Sequence, residues 1–204
     1  KKLEKKLRKT RLIDGQFRFH QSTSNLHKNI HKVMEADRLT ITYKLHGTSI
    51  VVGNLLVNKP LKWYERILKK FGVNIVTSEY GIVYSSRSVI KNQYYYPKSH
   101  NHFYTEDIWG VVAKELTPHI EPGITLYGEI VGFTPNGRCI QKGYDYGCDV
   151  GKHHTYIYRI TYTSPVGTVY EFTHGQIENY CILHGLSAVP ILDSGTPNQL
   201  IDTG

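Results

Sequence analysis

The residue with the most reactive setting in this chain is Lys44. Leu39, Ile41 and Tyr43 alternate with Thr40 and Thr42 ahead of it, and Gly47-Thr48-Ser49 leads into Ile50-Val51-Val52 behind it. The alternation predicts that one extended segment hands over to another at the lysine. A glycine turn there lets backbone approach a ligand closely, and strand ends hold reactive side chains rigidly. A lysine amine, once neutral, is a strong nucleophile, and a nearby cation keeps it deprotonated. Glu129 is unusual for a different reason, lying inside the apolar run Ile124-Thr125-Leu126-Tyr127-Gly128-Glu129-Ile130-Val131-Gly132-Phe133. Buried alone, its charge would cost several kcal/mol, so it calls for a hydroxyl, a cation or a metal as partner. Arg87 follows Gly81-Ile82-Val83-Tyr84-Ser85-Ser86 in a polar turn, and the planar fork of an arginine suits two phosphate oxygens at once.

The elements that position these groups are mostly extended. Asp14-Gly15 turns into a short aromatic strand at residues 17–20, and a His/Lys-rich stretch at residues 27–32 reads as a basic loop near nucleic acid or nucleotide phosphate. Its two histidines, His27 and His31, have no third ligand at zinc-like spacing. Residues 60–72 carry apolar side chains at 61, 64, 67, 68 and 71, with Pro60 at the start and Gly72 at the stop, so a packing helix is expected. Tyr94-Tyr95-Tyr96 and Phe103-Tyr104 read as a base-stacking loop or a packed lid, and the sequence does not choose. Thr105 is expected to cap a core helix that Pro118 ends. Residues 137–147 form a glycine-punctuated loop suited to approach nucleic acid. Residues 155–160 alternate as a strand bearing Tyr156 and Tyr158. A final amphipathic helix holds Ile177, Tyr180, Cys181 and His184 and stops at Gly185, with His184 read as a core histidine.

The 204 residues suffice for one sizeable core. A hydrophobic content of 40% and 16 tyrosines describe an ordered globular chain. Lys and Arg outnumber Asp and Glu by 25 to 17, a net charge of +8 that suits a polyanionic partner, although a basic solvated surface has the same composition. The 3 cysteines are odd in number and lack C-x-x-C spacing, which indicates neither a disulfide framework nor a zinc site and implies a reducing, cytoplasmic setting. No apolar run approaches the roughly 20 residues that a membrane span needs, and no signal-peptide pattern opens the chain.

Lys44-Leu45-His46-Gly47 resembles the K-x-D/H-G signature of the covalent nucleotidyltransferases, the superfamily of polynucleotide ligases and RNA-capping enzymes. The His form followed by Thr-Ser is most similar to ATP-dependent RNA ligases of the nick-sealing type, some of them phage-encoded. The resemblance runs from about residue 15 to about residue 192. It implies an α+β fold, an ATP-grasp-like nucleotidyltransferase domain of two antiparallel sheets flanked by helices with the nucleotide between them. It implies that Lys44 is catalytic, attacking the α-phosphate of ATP to form lysyl-AMP. Tyr43, Leu45, His46 and Gly47 would line the nucleotide, Arg87 would bind nucleotide and incoming phosphate end, and Glu129 would contact the ribose. Tyr158 would stack on adenine, with Tyr156 as the alternative. ATP and Mg²⁺ are the implied cofactors, and RNA ends in a nicked duplex or structured RNA the implied partners, with no membrane; oligomeric state stays open.

Residues 1–14 read as a basic extension or the end of a preceding domain, with a helix end at 1–9, and 15–204 as an adenylyltransferase domain. The family's E-G-x-V carboxylate and K-x-K pair are not found after Arg159, so the domain is expected to lack its C-terminal strands. Position 46 carries His where much of the superfamily has Asp. The expected function is joining of 5′-phosphate and 3′-hydroxyl RNA ends. The alternatives are a DNA ligase or GTP-using capping enzyme, and a catalytically weak nucleotide- or RNA-binding module of the same fold.

Overall fold

A computed structural model describes residues 11–91 and 107–201. The expectations for residues 1–9, for Tyr94-Tyr95-Tyr96 and Phe103-Tyr104, and for Thr105 lie outside the described residues. The chain order is α1 (Ile30–Met34), β1 (Leu39–Thr42), β2 (Thr48–Asn58), α2 (Trp63–Lys70), β3 (Ser78–Ser85), α3 (Ile108–Leu116), β4 (Ile124–Gly132), β5 (His153–Thr163), β6 (Val169–Glu171), α4 (His174–His184), β7 (Ser187–Ala188), β8 (Ile191–Gly195) and α5 (Pro197–Ile201). The larger sheet runs β3-β2-β4-β5-β6, antiparallel throughout, with β7 added to β5 in parallel. The smaller sheet pairs β1 with β8, also antiparallel. This is the α+β arrangement of two antiparallel sheets with few helices.

The core sits on one face of the larger sheet because alternate residues of its central strands are apolar and point the same way. Ile50 and Val52 of β2, Leu126 and Ile130 of β4, and Ile157 and Ile160 of β5 are fully buried there against Ile108, Val112 and Leu116 of α3 and Ile177 and Cys181 of α4. α3 begins at Asp107, whose carboxylate accepts the Gly110 N–H at 3.0 Å, so the cap lies two residues beyond Thr105. α4 has a Thr173/Gln176 capping box and ends on Gly185 at φ +65°, a left-handed stop that glycine adopts without strain. His184 is half-buried and pairs with Glu121 at 3.3 Å at the rim, not within the core.

The opposite face of the sheet is covered by the N-terminal segment. Residues 17–20 are not a strand; Leu12 makes a single bridge to Val57, and Phe17 packs with Leu12, Val57, Val83 and Ile90. Gln16 is buried and its amide donates to the Ser164 and Pro165 carbonyls at 3.1 and 3.2 Å, which pins the segment across the sheet. Residues 27–34 form a 3-10 turn and α1 in place of the expected basic loop.

α2 forms where the periodicity puts it. Glu65 accepts the Lys62 N–H at 2.7 Å, and Gly72 turns the chain at φ +79°. It is not a packing helix: none of its residues is buried, and Trp63 is 74% exposed. The reason is placement, since it rides in the connection between β2 and β3 beyond the end of the sheet, away from α3 and α4. An amphipathic pattern fixes a helix and its apolar side without supplying a surface to cover that side.

Candidate functional site

Lys44 lies in the five-residue connection between β1 and β2, which belong to different sheets. Its strand is held by β8, with the Tyr43 N–H donating to the Pro190 carbonyl at 3.1 Å, and the lysine itself is exposed. Tyr43 is 52% exposed and Leu45 half-buried. Downstream, Gly47 runs hard against β4. A Cβ built on it would lie well inside van der Waals distance of the Ile130 carbonyl, so only glycine fits without the two strands parting.

That close approach brings two distant motifs together. Glu129 of β4 accepts the Gly47 N–H with Oε1 and the Ser49 hydroxyl with Oε2, each at 2.9 Å. The hydroxyl that the apolar setting of Glu129 called for is therefore Ser49, and a backbone amide joins it. Burial pushes the Glu129 carboxyl above the usual carboxylate range; the Ser49 and Gly47 hydrogen bonds and the His46 and Arg87 charges pull it part of the way back. A carboxylate offers about four lone-pair positions, so these two bonds leave room for a ligand hydroxyl. Ser49 is braced from the core side: the Trp109 indole N–H of α3 donates to its carbonyl at 3.1 Å.

Tyr158 reaches the same face through an irregularity. In the β4–β5 ladder Tyr127 pairs with Arg159 but Gly128 pairs with Ile157, leaving Tyr158 as the extra residue of a β-bulge. Ile157 stays in the core, while the Tyr158 hydroxyl hydrogen-bonds His20 Nδ1 at 2.7 Å. Burial, then the Glu129 carboxylate and the Tyr127 phenol beside it, pushes the Tyr158 phenol upward. Burial, then the Arg87 and Arg159 guanidiniums, lowers His20, which keeps that imidazole neutral at pH 7. Arg159 lies over the Tyr127 ring at 4.3 Å and forms a two-pronged pair with Glu171, one prong at 2.9 Å. Arg87 follows β3 as expected, and its guanidinium donates to Ser22 Oγ at 3.0 Å, two residues from His20. Tyr156 stands opposite Glu129 in the ladder, its ring against His154 at 4.5 Å.

The sheet and its flanking turns thus bring Glu129, Tyr158 and Arg87 together beside Gly47, with residues 17–22 laid over them, and Lys44 lies three residues before that glycine. Sequence reasoning left Ser49, His20 and Ser22 without roles, because register and bulges decide which side chains share a face and neither is written in a single strand. His46 holds a further surprise: its backbone N–H donates to the Tyr146 hydroxyl at 2.7 Å, and its ring lies 4.9 Å from that of Tyr144. Among the described residues, no group of three or more His, Cys, Asp or Glu side chains gathers as a metal site, and no helix is long and apolar enough to cross a membrane.

No protein-family model matches the sequence, and a comparison with curated proteins finds no match. Solved structures do match. A lysine-to-alanine mutant of Naegleria gruberi RNA ligase with ATP and Mn superposes with a TM-score of 0.54 at 13% identity, over 95% of this chain and 49% of that one. A lysine-to-methionine mutant of the same ligase with AMP and Mn gives 0.53 at 13% identity, over 96% and 49%. The ligase with PPi gives 0.52 at 13% identity, over 93% and 46%. The chain has the nucleotidyltransferase fold. It spans about half the length of these RNA ligases, and at this identity the likeness is one of fold.

Proposed function

We propose that this chain is the adenylyl-accepting part of an ATP-dependent RNA ligase. The observation that carries the reading is the double hydrogen bond from Gly47 and Ser49 to Glu129, which joins the lysine motif to the Gly-Glu strand on the face where Tyr158 and Arg87 also lie. The fold shared with RNA ligases that bind ATP, AMP and PPi supports it.

In the proposed reaction, the neutral Lys44 amine attacks the α-phosphorus of ATP, an N–P bond forms, the P–O bond to the β-phosphate breaks, and pyrophosphate leaves. The phosphoramide then passes AMP to the 5′-phosphate of an RNA end, releasing the lysine amine. A 3′-hydroxyl finally attacks that phosphate and AMP departs, which seals the strand. Gly47 and Glu129 fix the main chain that aims the lysine, as a near-attack arrangement requires. The free lone pairs of Glu129 accept a ribose hydroxyl, Tyr158 stacks on adenine with its ring held by His20, and Arg87 grips phosphate oxygens. Mg²⁺ is proposed as the counter-ion of the triphosphate, since it is commonly held by substrate phosphates with few protein ligands. Among the described residues, the donor set does not by itself gather a metal site.

The test is incubation with α-³²P-labelled ATP and Mg²⁺, followed by denaturing electrophoresis. Label is expected on the wild type and absent from Lys44→Ala. A wild type that stays unlabelled overturns the reading; label from GTP alone, or sealing of all-DNA nicks alone, moves it to a capping enzyme or a DNA ligase. RNA binding that falls with salt, without label, marks a catalytically silent module.

A further inference from the structure

One structural group beside the lysine motif has no part in that chemistry. The loop after β4 places Tyr144 and Tyr146 together, ring centroids 6.2 Å apart and 28° from parallel, and Tyr144 in turn lies 4.9 Å from the His46 ring. Three rings therefore gather beside the motif, with Tyr144 next to both His46 and Tyr146. Both tyrosines are exposed, at 45% and 38%, so aromatic faces stand in water two residues along from Lys44.

The loop that presents them is built rather than slack. The Tyr144 N–H donates to the Gln141 carbonyl at 3.0 Å, the Cys148 N–H to the Asp145 carbonyl at 3.0 Å, and the Gly147 N–H to the Asp145 carboxylate at 3.0 Å. Gly143 and Gly147 take φ +83° and +72°, and Tyr146 takes φ +53°, the one non-glycine residue with positive φ among those described. Such a backbone persists only where its surroundings enforce it, and it concentrates at ligand sites. Here the Asp145 bonds bracket the Tyr146 backbone, and the Tyr146 hydroxyl accepts the His46 N–H at 2.7 Å. The loop is thereby latched to the segment that carries the nucleophile. A rigid pair of exposed tyrosine faces offers large contact area at low ordering cost.

We propose that Tyr144 and Tyr146 are a stacking platform for the unpaired terminal base of a 5′-phosphorylated strand, holding that end beside Lys44. The proposal rests on the ligase reading and names where its second substrate sits. Every base has a π-face, so the platform is tolerant of sequence. Tyr158 is distinct from it: that ring lies under residues 17–22, bonded to His20, on the nucleotide side. The phosphate of the same strand end would face Lys142, exposed on the approach to the loop.

The test uses the full chain and a short 5′-phosphorylated oligoribonucleotide with 2-aminopurine as its 5′-terminal base, whose fluorescence falls on stacking. Wild type and Tyr144→Phe, which keeps the ring, are expected to quench it; Tyr144→Leu is expected to lose the quench and bind about tenfold more weakly. A probe at the 3′ end is expected to stay bright. A DNA oligonucleotide of the same sequence separates the two sources of the base: equal quench assigns the platform to either strand type, weaker quench to RNA. Quenching that survives Tyr144→Leu, that ignores the probe's position, or that excess AMP abolishes would overturn the proposal, the last by returning the rings to the nucleotide site. The readout needs no catalysis, so an unlabelled wild type in the ATP experiment removes the ligase reading while this measurement still decides the platform.

Discussion

The two faces of strands β2, β4 and β5 are made from neighbouring residues and serve opposite ends. On one, Ile50, Val52, Leu126, Ile130, Ile157 and Ile160 form a dry apolar layer closed by two helices. On the other, Ser49, Glu129, Tyr158 and Arg159 form a polar layer under a thin cover of extended chain, with the apolar cover of Phe17 confined to one edge. Period-two alternation allows this because each strand can be stabilised by one half of its residues and specialised by the other. The faces are not independent, since Trp109 reaches from the core to the Ser49 carbonyl and Gly47 lies on the Ile130 backbone. Stability is expected to concentrate on the first face and chemistry on the second, with those two crossing points sensitive in both respects.

The strongest challenge to that division is a core truncation. Leu126→Ala is expected to cost about 2–5 kcal/mol in chemical denaturation while leaving the folded fraction able to take label from ATP. Next is a crossing point: Gly47→Ala must push β4 away, with an expected loss of label of at least about tenfold and a smaller destabilisation of about 1–3 kcal/mol. If label persists, the close approach is not what aims the lysine. Tyr158→Phe removes the hydroxyl that bonds His20 and Ser49 while keeping the ring, so it is expected to raise the KM for ATP a few-fold with an unfolding change of about 1 kcal/mol.

Glu129→Gln sharpens the comparison through pH. Because burial raises the folded carboxyl above its unfolded value, the wild type keeps that contribution at low pH and loses it as pH rises through the raised value. Glutamine is always neutral. The melting temperature of Glu129→Gln relative to wild type is therefore expected to be higher at pH 7 than at pH 4, and an unchanged difference would mean that the carboxylate is not strained. The smallest effect is expected outside both faces: Trp63→Ser on exposed α2 should shift stability by less than about 0.5 kcal/mol, in contrast to the buried Trp109.

Much of this arrangement was legible in the chain. The apolar run holding Glu129 demanded a partner, and a hydroxyl supplied it. The alternation before Lys44 gave β1, and the turn after β3 gave Arg87. What stayed hidden depends on pairing. The bulge that turns Tyr158 to the Glu129 face arises between two strands and leaves no mark in either. Residues 17–20 carry strand-forming aromatics but lie over the sheet face instead of pairing along its β3 or β6 edge, and α2 has a helix's pattern but, among the described residues, nothing covering its apolar side. Periodicity reports local conformation and which side is apolar, whereas register and coverage are properties of the assembled molecule.

The ribbon of β1 and β8 has a bearing on timing. Arg38, at the root of the lysine's strand, reaches Ser194 at 3.0 Å across 156 positions of sequence, whereas the β2–β3 hairpin closes over a far shorter stretch. Long loops close late because the chain must give up more freedom before any contact rewards it. The central sheet can therefore assemble before the segment carrying Lys44 is tied down, and a nascent chain stopped short of β8 is expected to fold in its middle with that segment still unpaired.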